Sequence, residues 1–248
     1  MGLKIGVAAL ATATAICLSV GSASAADMRQ PVYKAAPMAA PGFNWTGFYL
    51  GAVGGYAWGD ADTNLTGTLG VVGFAPGKTK PDGWLAGGTV GYNYQQGNLV
   101  LGTEGEFYWS DLEGSAGSAL PVPFTATYSN NWTGTLSTRL GVAFDTLLVY
   151  SKAGVAWANN DYNLSSTLLI PGGYSSTVSD TETGWLVGGG VEWAFARNWS
   201  AKIEGTYMDF GQKNRSFAPL GGAGGIPVNA DIDAQISTIK FGVNYRFY

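Results

Sequence analysis

Four glutamates and five basic residues stand out in a chain with only 12% charged residues, and their spacing is the first feature that could do chemistry. Glu104 and Glu106 lie two positions apart. On a strand, that spacing puts both carboxylates on one face, as general acid–base hydrolysis requires. Glu192 and Glu204 add two more acids, and Arg139, Lys152, Lys202, Lys240 and Arg246 provide counter-charges. Histidine is absent. Its absence removes Ser–His and Cys–His nucleophile pairs and every metal site built on imidazole. The one cysteine, Cys17, removes a disulfide framework and a Cys-cluster zinc site. Gly221-Gly222-Ala223-Gly224-Gly225 lacks the Lys-Ser/Thr of a phosphate-binding loop. The net charge of -4 argues against a basic nucleic-acid surface. No catalytic residue, metal site or cofactor is expected.

The elements that must hold these charges have period two. Eight alternating segments cover about 46–58, 83–94, 98–110, 132–144, 146–157, 183–195, 198–210 and 235–247. Each is roughly 11–13 residues long, against ~9–11 for a tilted strand that crosses a membrane. Gln95-Gln96-Gly97, Asp145 and Ala196-Arg197 form short connections, while 59–82, 111–131, 158–182 and 211–234 read as long loops. Short turns on one side and long loops on the other predict an all-β fold, an eight-stranded antiparallel up-and-down transmembrane β-barrel. The alternation assigns faces. Leu136, Leu140, Val142 and Phe144 oppose Arg139; Leu147, Val149, Val155 and Trp157 oppose Lys152; and Ile239, Phe241, Val243, Tyr245 and Phe247 oppose Lys240 and Arg246. A slip of one residue would move every charge to the apolar face, so the register is strongly specified.

Aromatic positions indicate what the apolar face meets. Trp58, Trp84, Trp109, Trp132, Trp157, Trp185 and Tyr207 share that face at the long-loop ends. Phe48, Tyr92, Tyr94, Phe144, Trp193, Phe195, Trp199, Tyr245 and Phe247 share it at the short-turn ends. Two aromatic rings around a band of aliphatic and small residues are the girdles expected at two bilayer interfaces. The charges then point into the lumen. There, Glu104, Glu106, Arg139, Lys152, Glu192, Lys202, Glu204, Lys240 and Arg246 are expected to form an ion-pair network that plugs an interior narrow enough for side chains to fill.

The first 25 residues read as a secretory signal peptide. Lys4 is the positive start, Ile5 to Val20 the apolar stretch and Ala23-Ser24-Ala25 the cleavage site, so Cys17 is expected to leave with it. Residues 26–44 are an Ala- and Pro-rich periplasmic lead-in, and 45–248 the barrel domain. The long loops carry Asp60, Asp62, Asp82, Asp111, Glu113, Asp161, Asp180, Glu182, Asp231 and Asp233, read as solvated surface. A sharper reading lets them bridge to lipopolysaccharide phosphates through divalent cations, although no Asp-x-Asp-x-Asp-Gly calcium loop is present.

Both ends of the barrel segment carry a family likeness. Phe43-Asn44-Trp45-Thr46-Gly47-Phe48-Tyr49-Leu50-Gly51, followed by Gly54-Gly55-Tyr56, resembles the first strand of small alphaproteobacterial outer-membrane proteins. These are called porin-family or outer-membrane immunogenic proteins, with an OmpA-like eight-stranded barrel. Asp27 to Pro37 is similar to their mature N-terminus, and Ser237 to Phe247 to their last strand. The resemblance implies a Gram-negative outer-membrane location, export through the secretion machinery and insertion by the barrel-assembly machinery. Their assembly signal usually ends in Phe; here Phe247 and Tyr248 are both candidates. No peptidoglycan-binding domain follows, so wall anchoring is not implied.

Three functions remain open. The residues favour a monomeric, non-enzymatic outer-membrane barrel with a structural, surface-exposed, antigen-like role, in contact with outer-membrane lipid and lipopolysaccharide. A small porin-type diffusion channel is the alternative, supported by the inward glycines Gly51, Gly55, Gly87, Gly91 and Gly188. A secreted soluble ligand-binding barrel would need the apolar face inside.

Overall fold

The computed structural model describes residues 43–66, 77–118, 124–166, 173–220 and 226–247. The expected signal peptide, the lead-in up to residue 42, Tyr248 of the assembly signal and the Gly221–Gly225 run lie outside the described residues.

The described chain is a closed antiparallel ring. Its strands are β1 (Gly47–Thr66), a three-residue β2 (Gly77–Thr79), β3 (Asp82–Gln96), β4 (Leu99–Ser118), β5 (Phe124–Phe144), β6 (Leu147–Ser166), β7 (Tyr174–Ala194), β8 (Trp199–Leu220) and β9 (Ile226–Phe247). Leaving the short β2 aside, sequence neighbours pair throughout, and β1 closes the ring on β9 from Phe48↔Phe247 to Thr66↔Asn229. β2 adds only a short rung to the outer part of β1, at Ala61↔Thr79. Eight strands therefore form the up-and-down barrel. Gly97 and Asp145, both at positive φ (61° and 54°), turn the short connections between β3 and β4 and between β5 and β6.

The strands are longer than the alternating segments suggested. Most of what reads as long loop at 59–82, 111–131, 158–182 and 211–234 is continued ladder; β5–β6, for example, stays paired from Phe144↔Leu147 out to Thr125↔Ser165. At ~3.3 Å per residue and a ~40° tilt, such strands rise roughly 50 Å, about twice the ~25 Å apolar band. Beyond the band the outer face turns polar, as at Thr125, Thr127 and Ser129. The hydrophobic period fades there although the strand continues. Bulges add to the effect. β4–β5 shifts register between Trp109 and Leu112, and β8–β9 between Asp209 and Gln212.

Candidate functional site

The lumen is filled in layers. At the short-turn end, Trp45 is fully buried, and its indole Nε1 donates to the Asp145 carbonyl (2.9 Å). Its backbone N–H donates to Gln95 Oε1 (2.6 Å), Phe43 N–H donates to Asp145 Oδ1 (2.8 Å), and the Arg246 guanidinium lies 4.4 Å from the Trp45 ring. Trp45 precedes β1 and corks that end. It has the inward parity of Tyr49 and Val53, which was the signal available in the sequence.

Above the cork, all nine predicted charges meet in one buried network. Arg139 bridges Glu192 (2.8 Å) and Glu104 (3.2 Å). Lys152 reaches Glu104 (3.1 Å), Glu106 (3.0 Å) and Glu204 (2.7 Å). Lys202 holds Glu104 (2.9 Å) and Glu106 (3.1 Å), and Lys240 pairs with Glu106 and with Glu204 (3.0 Å). Arg246 completes it on Glu192 (3.4 Å). The Glu104, Glu106 and Glu204 carboxylates converge closely enough to ligate a cation, but three ammonium groups already supply the positive charge. Neutral partners of the same inward parity, not singled out from the sequence, complete the layer. Tyr49 OH donates to Glu104 (2.8 Å) and Tyr150 OH to Glu204 (2.9 Å), and the Arg139 guanidinium stacks 3.9 Å from the Tyr150 ring.

The inward glycines do not open a bore. A Cβ on Gly91 would strike the Tyr49 ring, one on Gly87 would meet Tyr108, and one on Gly51 would meet Asn244. The missing side chains make room for tyrosines and an asparagine, which removes the observation that favoured a pore.

An apolar layer follows, with Leu85, Tyr108, Leu112, Leu186, Met208 and Phe210. Next comes a polar layer the sequence reading missed. Glu182, expected on the acidic surface, is buried instead. It accepts from Asn160 Nδ2 (2.9 Å), Tyr162 OH (3.1 Å) and Arg215 Nη2 (2.5 Å). Glu182 continues the inward parity of Glu192 at even positions of β7, so a strand extended past 183 would have placed it inside. Burial pushes the Tyr128 and Tyr162 phenols up, so both stay neutral donors.

The outer face carries the other predicted set. Trp58, Trp84, Trp109, Trp157, Trp185, Phe144, Trp193, Trp199, Tyr245 and Phe247 project outward and are exposed, Trp84 by 72%. Trp132 and Tyr207 are half-buried on the same face. Leu101, Leu136, Leu140, Val149 and Phe241 lie exposed between the two rings. Exposed apolar side chains around the whole waist of a closed ring, Leu50, Val90, Val187 and Ile203 among them, exclude the soluble ligand-binding reading, which needs this face inside.

Comparison with known proteins settles the assignment. The family model of the outer membrane protein beta-barrel domain matches residues 13–247. The chain belongs to this family. The outer-membrane barrel is 32% identical to the 31 kDa outer-membrane immunogenic protein of Brucella melitensis, over 91% of this chain and 94% of that one. It is 30% identical to the 25 kDa outer-membrane immunogenic protein of Brucella abortus, over 91% of each. In fold it is similar to the outer membrane protein OprG from Pseudomonas aeruginosa, with a TM-score of 0.55 at 15% identity, covering 83% of this chain and 99% of that one. The outer-membrane barrel thus resides in the outer membrane of a Gram-negative envelope, and ion pairs plug its lumen.

Proposed function

We propose that this barrel is a structural, non-catalytic component of the outer membrane that displays its strand-built hairpins at the cell surface. The observation that carries the reading is the sealed lumen. The four lumen glutamates are held by lysine or arginine and shut off from water, Glu104 at 1% and Glu106 at 4% exposure. Proton transfer needs a carboxylate within reach of a substrate, and these two are not. The relatives' description as immunogenic outer-membrane proteins supports a surface-exposed role. In this reading the two aromatic rings anchor the barrel at the bilayer interfaces. The acidic hairpins face the lipopolysaccharide headgroups, and the monomer is the working unit.

The test is topological. Thr127→Cys, on an outer hairpin, should react with a membrane-impermeant maleimide on intact cells. Asn98→Cys, on a short turn, should react only after lysis, with the parent chain as the blank. The reverse pattern would overturn the reading.

A further inference from the structure

Above the outer aromatic ring the barrel wall has two chemically different arcs. On β5, β6 and β7 the ladders continue to Thr125↔Ser165 and Ser166↔Tyr174. Thr127, Asn163 and Thr177 stand in one row across the three strands, and Thr125, Ser165 and Ser175 in the next. All six face outward, flanked along their strands by buried residues such as Tyr128, Tyr162 and Leu164. Among the described residues, Asp161 is the only outward carboxylate on this arc, and its Oδ2 accepts from Asn131 Nδ2 (2.8 Å). Asp180 has the inward parity and is held by Arg215. The neighbouring arc differs. β8 and β9 turn Asp209, Asp231 and Asp233 outward, and β1 adds Asp60 and Asp62. The bulge at Gly211 (φ 65°) reverses the parity of β8, so Asn214 and Ser216 follow Asp209 on the outer face. Partial burial, then Asp209 and Asp62, push the Asp233 carboxyl up, a sign of like charges crowded together.

Both arcs start at the tryptophan ring that marks the headgroup level. With ~3.3 Å per residue and a ~40° tilt, Asn159 to Ser165 stand roughly 5–20 Å above Trp157. In a Gram-negative outer leaflet, that height holds the sugars of the lipopolysaccharide next to the barrel. A sugar hydroxyl both donates and accepts, and so do Ser and Thr hydroxyls and the Asn amide. Carboxylates only accept, and they repel the phosphates that the same glycolipid carries. A cross-strand bond holds the neutral arc ready, with Asn163 Nδ2 donating to Thr177 Oγ1 (2.8 Å). Less side-chain freedom is then lost on binding.

We propose that the outer face of β5–β7 above the tryptophan ring is a docking surface for the uncharged core sugars of neighbouring lipopolysaccharide, and that the acidic arc of β8 and β9 is not. The proposal deepens the surface-display reading above and rests on it, because the face meets sugars only where the hairpins stand outside. The rows of hydroxyls and amides supply paired donors and acceptors, and the near-absence of charge lets a phosphorylated glycolipid approach. The acidic arc offers acceptors alone and meets the same molecule with like charge.

The test uses the full chain with Cys17→Ser and one reporter thiol, Ser179→Cys on the neutral arc or Asn214→Cys on the acidic one. Both stand roughly 15 Å above the aromatic ring. Each protein is refolded, in EDTA, into phosphatidylethanolamine vesicles doped with lipid A or with lipopolysaccharide that has a complete core and no O-chain. N-ethylmaleimide crosses the bilayer and so reads both orientations of insertion. Core sugars should slow Ser179→Cys labelling by about fivefold relative to lipid A, and Asn214→Cys by less than about twofold. The contrast should persist with cores stripped of phosphate and vanish when Asn163→Asp and Thr177→Asp are added. Equal slowing at both thiols would show general crowding by sugars and overturn the docking face, as would no slowing at Ser179→Cys. Loss of the contrast with dephosphorylated cores would overturn the choice of sugar over phosphate. A contrast that survives both aspartates would overturn the assignment to these rows. Whole-cell labelling of Thr127→Cys stays a separate test, slowed by sugars without being blocked, so failure here leaves the surface-display reading standing.

Discussion

Replacing Arg139 by Ala tests the lumen where the network is least redundant. The change removes ion pairs to Glu192 (2.8 Å) and Glu104 (3.2 Å), the hydrogen bond to Tyr49 OH (2.8 Å) and the stacking on Tyr150. Its two acids do not suffer alike. Glu104 keeps Lys152 (3.1 Å) and Lys202 (2.9 Å), whereas Glu192 is left with Arg246 at 3.4 Å and neutral donors from Ser200 and Asn244. A buried acid that loses its main partner costs about 3–5 kcal/mol. That cost falls mostly on Glu192, so Glu192→Gln should recover part of it in the Arg139→Ala background, with a coupling of ~0.5–3 kcal/mol between the two changes. Urea unfolding of vesicle-inserted protein, followed by tryptophan fluorescence, measures both quantities. A loss of only ~0–1 kcal/mol, as for solvated pairs, would refute the dry network. Equal effects of Glu192→Gln in both backgrounds would refute the proposed division of labour.

Three further outcomes follow from the same geometry. Leu140→Arg, at the middle of the outward apolar band, should cost ~2–4 kcal/mol in the same assay, while Thr127→Arg on an outer hairpin should stay within about ±0.5 kcal/mol; equal costs would contradict the face assignment. Gly87→Ala drives a methyl into Tyr108 and the facing backbone and should destabilise by about 1–3 kcal/mol, whereas an open bore would accept it at no cost. Partial burial, with Asp209 and Asp62 nearby, holds the Asp233 carboxyl above its ordinary value. The stability it contributes is therefore present in acid and lost as pH rises through that raised value. Asp233→Asn should raise the urea midpoint at neutral pH and flatten its acid dependence; a lower midpoint at neutral pH would contradict the sign.

The legible and illegible parts of this molecule divide along physical lines. Where one face of a strand meets lipid and the other the lumen, period two is strong, and it set the eight membrane segments and the inward side of Glu104, Arg139, Lys152 and Lys240. It fades where the outer face turns polar and the inner face mixes Asn160 and Glu182 with apolar residues such as Leu164, so the hairpins beyond Trp109 and Trp185 read as loops and Glu182 as surface. Parity alone could have placed Glu182 and Trp45 inside, since each continues the inward positions of its own strand. Nothing of that kind could have found Arg215, because the Gly211 bulge reverses the parity of β8 just before it. The inward glycines misled for another reason. A missing side chain looks like empty space in a sequence, and only the facing strands show that Tyr49 and Tyr108 fill it.

Buried ion pairs close this barrel, and single-channel recording of the refolded full-length chain in a planar bilayer reads that closure. The parent should be silent, with conductance appearing only when the network is broken, as in Arg139→Ala. Steady conductance by the parent, with Arg139→Ala changing ion selectivity and leaving stability alone, would contradict it.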